Sequence, residues 1–94
     1  DVTVSGGIAK QAVLEAMRKI EGDIAACAAG ISSPVSYVVT LIVNADGTVK
    51  DAKFKDGKNN SQEQCIRSLM KQLKFTATRD GKEASVTVTI LLAP

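Results

Sequence analysis

Two cysteines, Cys27 and Cys65, are the residues of this 94-residue chain most able to do chemistry. They lie 38 positions apart, too far for a Cys-x-x-Cys redox motif and too few for a zinc site without other ligands. The chain has no histidine, which removes the commonest general base and the commonest metal ligand together. Its serines therefore have no assignable base to activate them as nucleophiles. Asp46-Gly47 is turn chemistry, because the further acidic ligands that a calcium loop needs at fixed spacing are missing. The residues thus point to no catalytic group, no metal and no cofactor, and leave the cysteines to be explained.

Both cysteines fall at helical spacing beside apolar residues. Val13, Met17, Ile20, Ile24 and Cys27 recur at steps of three and four, and so do Cys65, Ile66, Leu69, Met70 and Leu73. Both are thus expected on the buried side of their helices. If the two helices cover the same face of a sheet, the end of the first meets the start of the second. A disulfide there would close a loop that stabilises by roughly 4 kcal/mol in the chain-entropy model. The alternative is a pair of buried thiols acting as small hydrophobes in a reducing compartment.

Composition bounds the rest. Ninety-four residues make one domain with a single modest core. The formal net charge of +2, from 12 basic and 10 acidic residues, argues neither for nucleic acid nor for an anionic membrane surface. The hairpin lysines alternate with Asp51 and Asp56 and lack aromatics for base stacking, so no nucleic-acid partner is expected. No apolar run approaches the roughly 18 residues of a membrane span. A start at Asp1 reads as a piece of a longer protein or a mature form.

The elements that must position the cysteines follow in order. Residues 1–7 read as a linker or short N-terminal strand, and 8–94 as the single domain. A helix is expected over about 10–29, stopped by Gly30, with Gly22 marking either a close helix–sheet contact or a weak spot. Val35–Val43, the Asn44–Thr48 turn and Val49–Lys55 form a β-hairpin around Asp-Gly. Ser61 with Gln64 gives a capping-box signature for a second helix over 62–73. Ala84–Leu92 then alternates cleanly as a last strand. The expected fold is α+β, with two helices packed on one face of a three-stranded antiparallel sheet in the order α-β-β-α-β. The last strand pairs with Val35–Val43, which becomes central.

Edges then decide what such a domain can bind. Lys50, Lys53 and Lys55 guard one edge. The other carries no charge along Ala84, Ser85, Val86, Thr87, Val88, Thr89 and Ile90, and an apolar alternating edge invites strand addition by a partner. Alternatively Val2-Thr3-Val4 covers it, or two copies pair there and form a homodimer that scaffolds the parent chain. Val38, Ile42 and Leu91 form a small apolar patch on the face away from the helices.

The stretch Val38–Phe54 resembles the hairpin of TonB-type C-terminal domains: an alternating strand, Asp-Gly, then valine and a second strand. Cys65-Ile66 through Leu73-Lys74-Phe75 resembles that family's second helix. The likeness is nearest to the TonB-like C-terminal domains of bacterial gliding-motility proteins (AgmX/PglI type). There, Gly-Gly opens a helix ending in cysteine, and a Cys-Ile step follows in the second helix. Gly6-Gly7, Cys27 and Cys65-Ile66 stand at those places. Ala28 and Leu73 depart from the pattern, standing where the family often has an aromatic residue and usually a tryptophan. The resemblance implies a periplasmic domain of an inner-membrane-anchored protein. Such a domain would couple an energy- or force-transducing machine to an outer-membrane or periplasmic protein segment added beside the last strand. It also implies that Cys27 and Cys65 are disulfide-bonded, since a periplasmic domain is where such a bond persists. A cell-envelope polymer-binding module is the further alternative.

Overall fold

The computed structural model describes residues 2–94. Its elements are β1 (Val2–Ser5), α1 (Lys10–Ala26), β2 (Val35–Val43), β3 (Val49–Phe54), α2 (Ser61–Lys71) and β4 (Ala84–Leu92). The fold is α+β, with an antiparallel sheet in the order β1-β4-β2-β3. The sheet has four strands rather than the expected three. Val2 and Val4 take inward positions opposite Val88 and Val86, and this alternation suffices to seat the N-terminal stretch on β4.

Register explains the core. Val39 lies opposite Val88, Leu41 opposite Val86 and Val43 opposite Ala84, so the inward residues of β2 and β4 form continuous rows. These six are buried, and they share one apolar cluster with Val13 and Ile24 of α1 and Ile66 and Met70 of α2. Both helices therefore cover the same face, as the apolar stripes require. Burying each such aliphatic side chain contributes about 1.5–3 kcal/mol.

On β3, Val49 and Ala52 both face the core although they lie three positions apart, an odd step that a regular strand forbids. The ladder shifts between Ile42, opposite Asp51, and Val43, opposite Val49, so Lys50 is the extra residue of a bulge. Lys50 is thereby turned outward, where its Nζ meets Glu83 Oε2 at 3.2 Å, an exposed pair that contributes little.

The helix ends follow from local chemistry. α1 has no side-chain cap at Ala9, and Gly30, at φ +86°, ends the turn that follows the helix. Gly22 is exposed with nothing near its Cα hydrogens, so it is a weak spot and not a packing contact. α2 begins one residue earlier than Ser61 and Gln64 imply. Its N-cap is Asn60, whose Oδ1 accepts from the Glu63 amide at 2.9 Å.

Candidate functional site

The disulfide forms: Cys27, just past the end of α1, is bonded to Cys65 in the second turn of α2, with 5.8 Å between the Cα atoms. Only half of the expected burial holds. Cys27 is 5% exposed, whereas Cys65 is exposed. Ile66 and Met70 are the residues of α2 that face the sheet, and Cys65 lies about 100° round the helix from Ile66. It therefore sits on the flank toward α1, which is what lets the bridge cross between helices. Gln62 Nε2 donates to the Ala29 carbonyl at 3.2 Å and ties the same two ends together.

The uncharged strand requires a correction. Ala84, Val86, Val88 and Ile90 face the core, and Ser85, Thr87 and Thr89 face away, as their alternation implies. However, β4 is not an edge along Ser85–Val88, because β1 pairs with those four residues (Ser5 with Ser85, Val4 with Val86, Thr3 with Thr87, Val2 with Val88). The alternative that Val2-Thr3-Val4 covers this edge is the one realised. The ladder with β1 is described up to Val88, opposite the first described residue Val2, and β4 continues through Thr89 to Leu92. Among the described residues, nothing pairs with that last stretch on the β1 side.

A groove of about 550 Å³ lies there, between the end of β4 and α1. Leu14, Met17 and Ile24 supply its apolar wall from the helix, and Arg18 and Glu21 give it one charge of each sign. Leu14 (37% exposed) and Leu91 (67%) are the exposed large apolar side chains among the described residues, and both line this groove. Leu14 was not singled out in the sequence because it lies off the core stripe. Its signal is the adjacent set Leu14, Met17, Arg18 and Glu21, which shares a second helical face.

Among the described residues no element covers the face of the sheet away from the helices. Thr3, Thr87 and Thr40 form one row across β1, β4 and β2, with Thr40 Oγ1 and Thr87 Oγ1 hydrogen-bonded at 3.2 Å. Val38, opposite Thr89, and Ile42, between Ser85 and Asp51, are half-buried, and Leu91 stands clear. The opposite edge, β3, exposes Lys50 and Lys53.

Charged groups gather nowhere in a reactive arrangement. Among the described residues no cluster of three cysteine or acidic side chains is placed to hold a metal. The buried carboxylate of Glu63 is satisfied by the Lys58 and Asn59 amides, which is a structural use. Asp46 is held below the ordinary aspartate range by the Thr48 hydroxyl and amide that donate to it. It belongs to the hairpin turn and lies outside the groove between α1 and β4. Among the described residues no helix is long and apolar enough to cross a membrane. No protein-family model matches the chain, and no curated protein or solved structure matches it either.

Proposed function

We propose that this chain is a non-enzymatic protein-interaction domain of the cell envelope, taking up an extended partner segment as a strand beside β4. The observation that carries this reading is the apolar groove beside the end of β4, walled by Leu14, Met17 and Ile24 of α1. Among the described residues no strand pairs with Ile90–Leu92 on the side of β1, and these residues line that groove. An added strand would pair with their backbone, while its inward side chains met Leu14, Met17 and Ile24. The guarded β3 edge and the uncharged β4 end make the choice of side.

The disulfide supports an oxidising compartment. That agrees with the periplasmic setting implied by the likeness to TonB-type domains. In that setting the domain couples an inner-membrane energy- or force-transducing machine to an outer-membrane or periplasmic protein, in gliding motility. A covalent clamp between α1 and α2 suits a domain that is pulled, because α1 forms one wall of the groove.

Backbone amide NMR of the labelled domain, titrated with extended peptides from candidate partners, tests this reading. Shifts concentrated in Thr89–Leu92 and Leu14–Glu21, abolished by Leu14→Asp or Leu91→Asp, are the expected result. Both positions are exposed, so these changes leave the core untouched. Shifts confined to β3 or α2 would refute the site.

A second reading rests on the uncovered face, where Val38, Ile42 and Leu91 lie beside the hydroxyls of Thr40, Thr87 and Thr89, with Asp51 and Lys53 of β3 at its margin. In it the domain self-associates and organises its parent chain. Analytical ultracentrifugation showing a tight dimer that Leu14→Asp leaves intact but Ile42→Asp and Leu91→Asp dissolve would favour it.

A further inference from the structure

We infer that Arg67 is the lock on the β3 edge: with Asp51, it occupies the backbone groups through which two copies of this chain would otherwise join β3 to β3. This edge lies across the sheet from the groove, so the lock acts whatever the groove takes up.

The ladder fixes which groups face outward. The Lys55 amide donates to the Val38 carbonyl at 2.9 Å. Bonding alternates along an antiparallel strand, so Lys53, opposite Thr40, and Asp51, opposite Ile42, also bond to β2. Ala52 and Phe54 then turn their N–H and C=O groups away from β2, to the edge. Ala52 is 1% exposed, so its outward groups need partners. Asp51 Oδ1 accepts from the Ala52 amide at 2.8 Å, and Arg67 Nε donates to the Ala52 carbonyl at 3.2 Å. Both bonds that a neighbouring strand would make at Ala52 are thus made by side chains of the same chain. Lys53 is exposed and Lys50 is engaged with Glu83, so neither lysine supplies them.

Arg67 is built into this place. On α2 it lies about 100° round the helix from Ile66, on the side opposite Cys65. One flank of the helix therefore carries the bridge to α1, and the other reaches over β3. The guanidinium carbon of Arg67 lies 5.4 Å from the centre of the Phe54 ring, and its Nη1 donates to Asn59 Oδ1 at 3.3 Å. Tyr37 braces the Phe54 ring edge-on, with 5.7 Å between the ring centres. A planar fork held by a ring, a carbonyl and an amide loses little freedom by staying there.

Charge points to a second copy as the strand kept out. An antiparallel two-fold pair centred on Ala52 sets the Asp51 of each copy against the Lys53 of the other. Each copy thus brings the opposite charge at both flanking positions, and such cross-strand pairs favour pairing. The same symmetry brings the two Arg67 guanidiniums together at the axis, where bulk and like charge hold the strands apart.

Sedimentation velocity over a concentration series tests the lock, comparing the full chain with Arg67→Leu, which keeps a side chain over Phe54 and removes the donors. Arg67→Leu is expected to dimerise at least ten-fold more tightly than the original chain. Adding Asp51→Lys sets lysine against lysine and is expected to dissolve that dimer. Adding Lys53→Asp as well reverses both charge pairs and is expected to restore it. If circular dichroism shows that Arg67→Leu does not fold, Arg67→Gln, which shortens the side chain and removes its charge, takes its place. A folded variant that dimerises no more tightly than the original chain overturns the lock. A dimer that Asp51→Lys leaves intact, or that Lys53→Asp fails to restore, overturns it equally.

Discussion

Gly47 and Phe75 hold the hairpin tip against the segment that leads into β4: the Phe75 amide donates to the Gly47 carbonyl at 2.8 Å. Beside it the Thr78 amide donates to the Ala45 carbonyl at 2.9 Å, so the turn is sewn to the chain at two points. A Cβ on Gly47 would overlap the Phe75 carbonyl oxygen, and its φ of +95° is strained for any other residue.

Gly47→Ala is therefore expected to cost about 3 kcal/mol or more, read as a fall in the urea midpoint. Gly22→Ala is the counter-example, since that exposed helix glycine meets nothing and alanine should stabilise by about 0.5–1 kcal/mol. A milder effect at Gly47 than at an ordinary surface position would refute the docking of the turn.

Removing the disulfide separates its two possible uses. The chain-entropy cost of opening the 38-residue loop is about 4 kcal/mol, a large share of the 5–15 kcal/mol typical of a domain. Cys27→Ala combined with Cys65→Ala should lower the melting temperature by roughly 15–30 °C. The sheet pairs most of its length without α1, so amide exchange should rise first in α1 and at the end of β4 beside it, and last in β2. Uniform loss of protection would mean that the bridge secures the whole fold and not the groove wall.

What could be read from residues alone, and what could not, divides on physical grounds. β2 and β4 were legible because each has apolar residues at every other position over nine residues, which leaves one register that turns them all toward the core. α1 was legible from a stripe sustained over several turns. β1 was not, because two valines followed by Gly-Gly carry too little pattern to separate a strand from a linker, and only the waiting edge of β4 decides. Periodicity placed Cys65 among apolar neighbours but could not tell the sheet-facing side from the flank. Asn60-x-x-Glu63 and Ser61-x-x-Gln64 both fit a capping box, and the loop before the helix chose between them. The groove escaped notice because Leu14 reads as one stray apolar residue until β4 is seen to pass beneath it.

That loop gives a sharp stability prediction. Glu63 is 3% exposed and accepts from the Asn59 amide at 2.8 Å and from the Lys58 amide with both oxygens at 3.0 Å. Asp56 and Asn59 are held at φ +55° and +54°, a conformation these contacts maintain. Glu63→Ala leaves two inward-turned amides without acceptors and should cost about 2–3 kcal/mol. Asn60→Ala removes only the cap and should cost about 1 kcal/mol. Because both act on one loop, the double variant should cost less than the sum in urea unfolding. Strict additivity would show that the cap and the carboxylate work independently.

Acid titration of the hairpin turn completes the set. The Asp46 carboxylate accepts from the Thr48 hydroxyl at 2.6 Å and from the Thr48 amide at 3.0 Å, and these two donors lower its pKa. Both favour the charged form, and both are lost in the unfolded chain. A pKa depressed on folding contributes stability that is present above the unfolded value and disappears as pH falls through the folded one. The turn should therefore stay intact through the ordinary aspartate range and loosen only below it. Followed by NMR, the Thr48 amide should titrate with a midpoint under the ordinary aspartate value. In Thr48→Ala, which removes the hydroxyl and keeps the amide, that midpoint should move back up without reaching the ordinary value. A midpoint unchanged by the substitution would assign the shift to the backbone alone, and the hydroxyl would then have no part in setting the turn that Gly47 docks on Phe75.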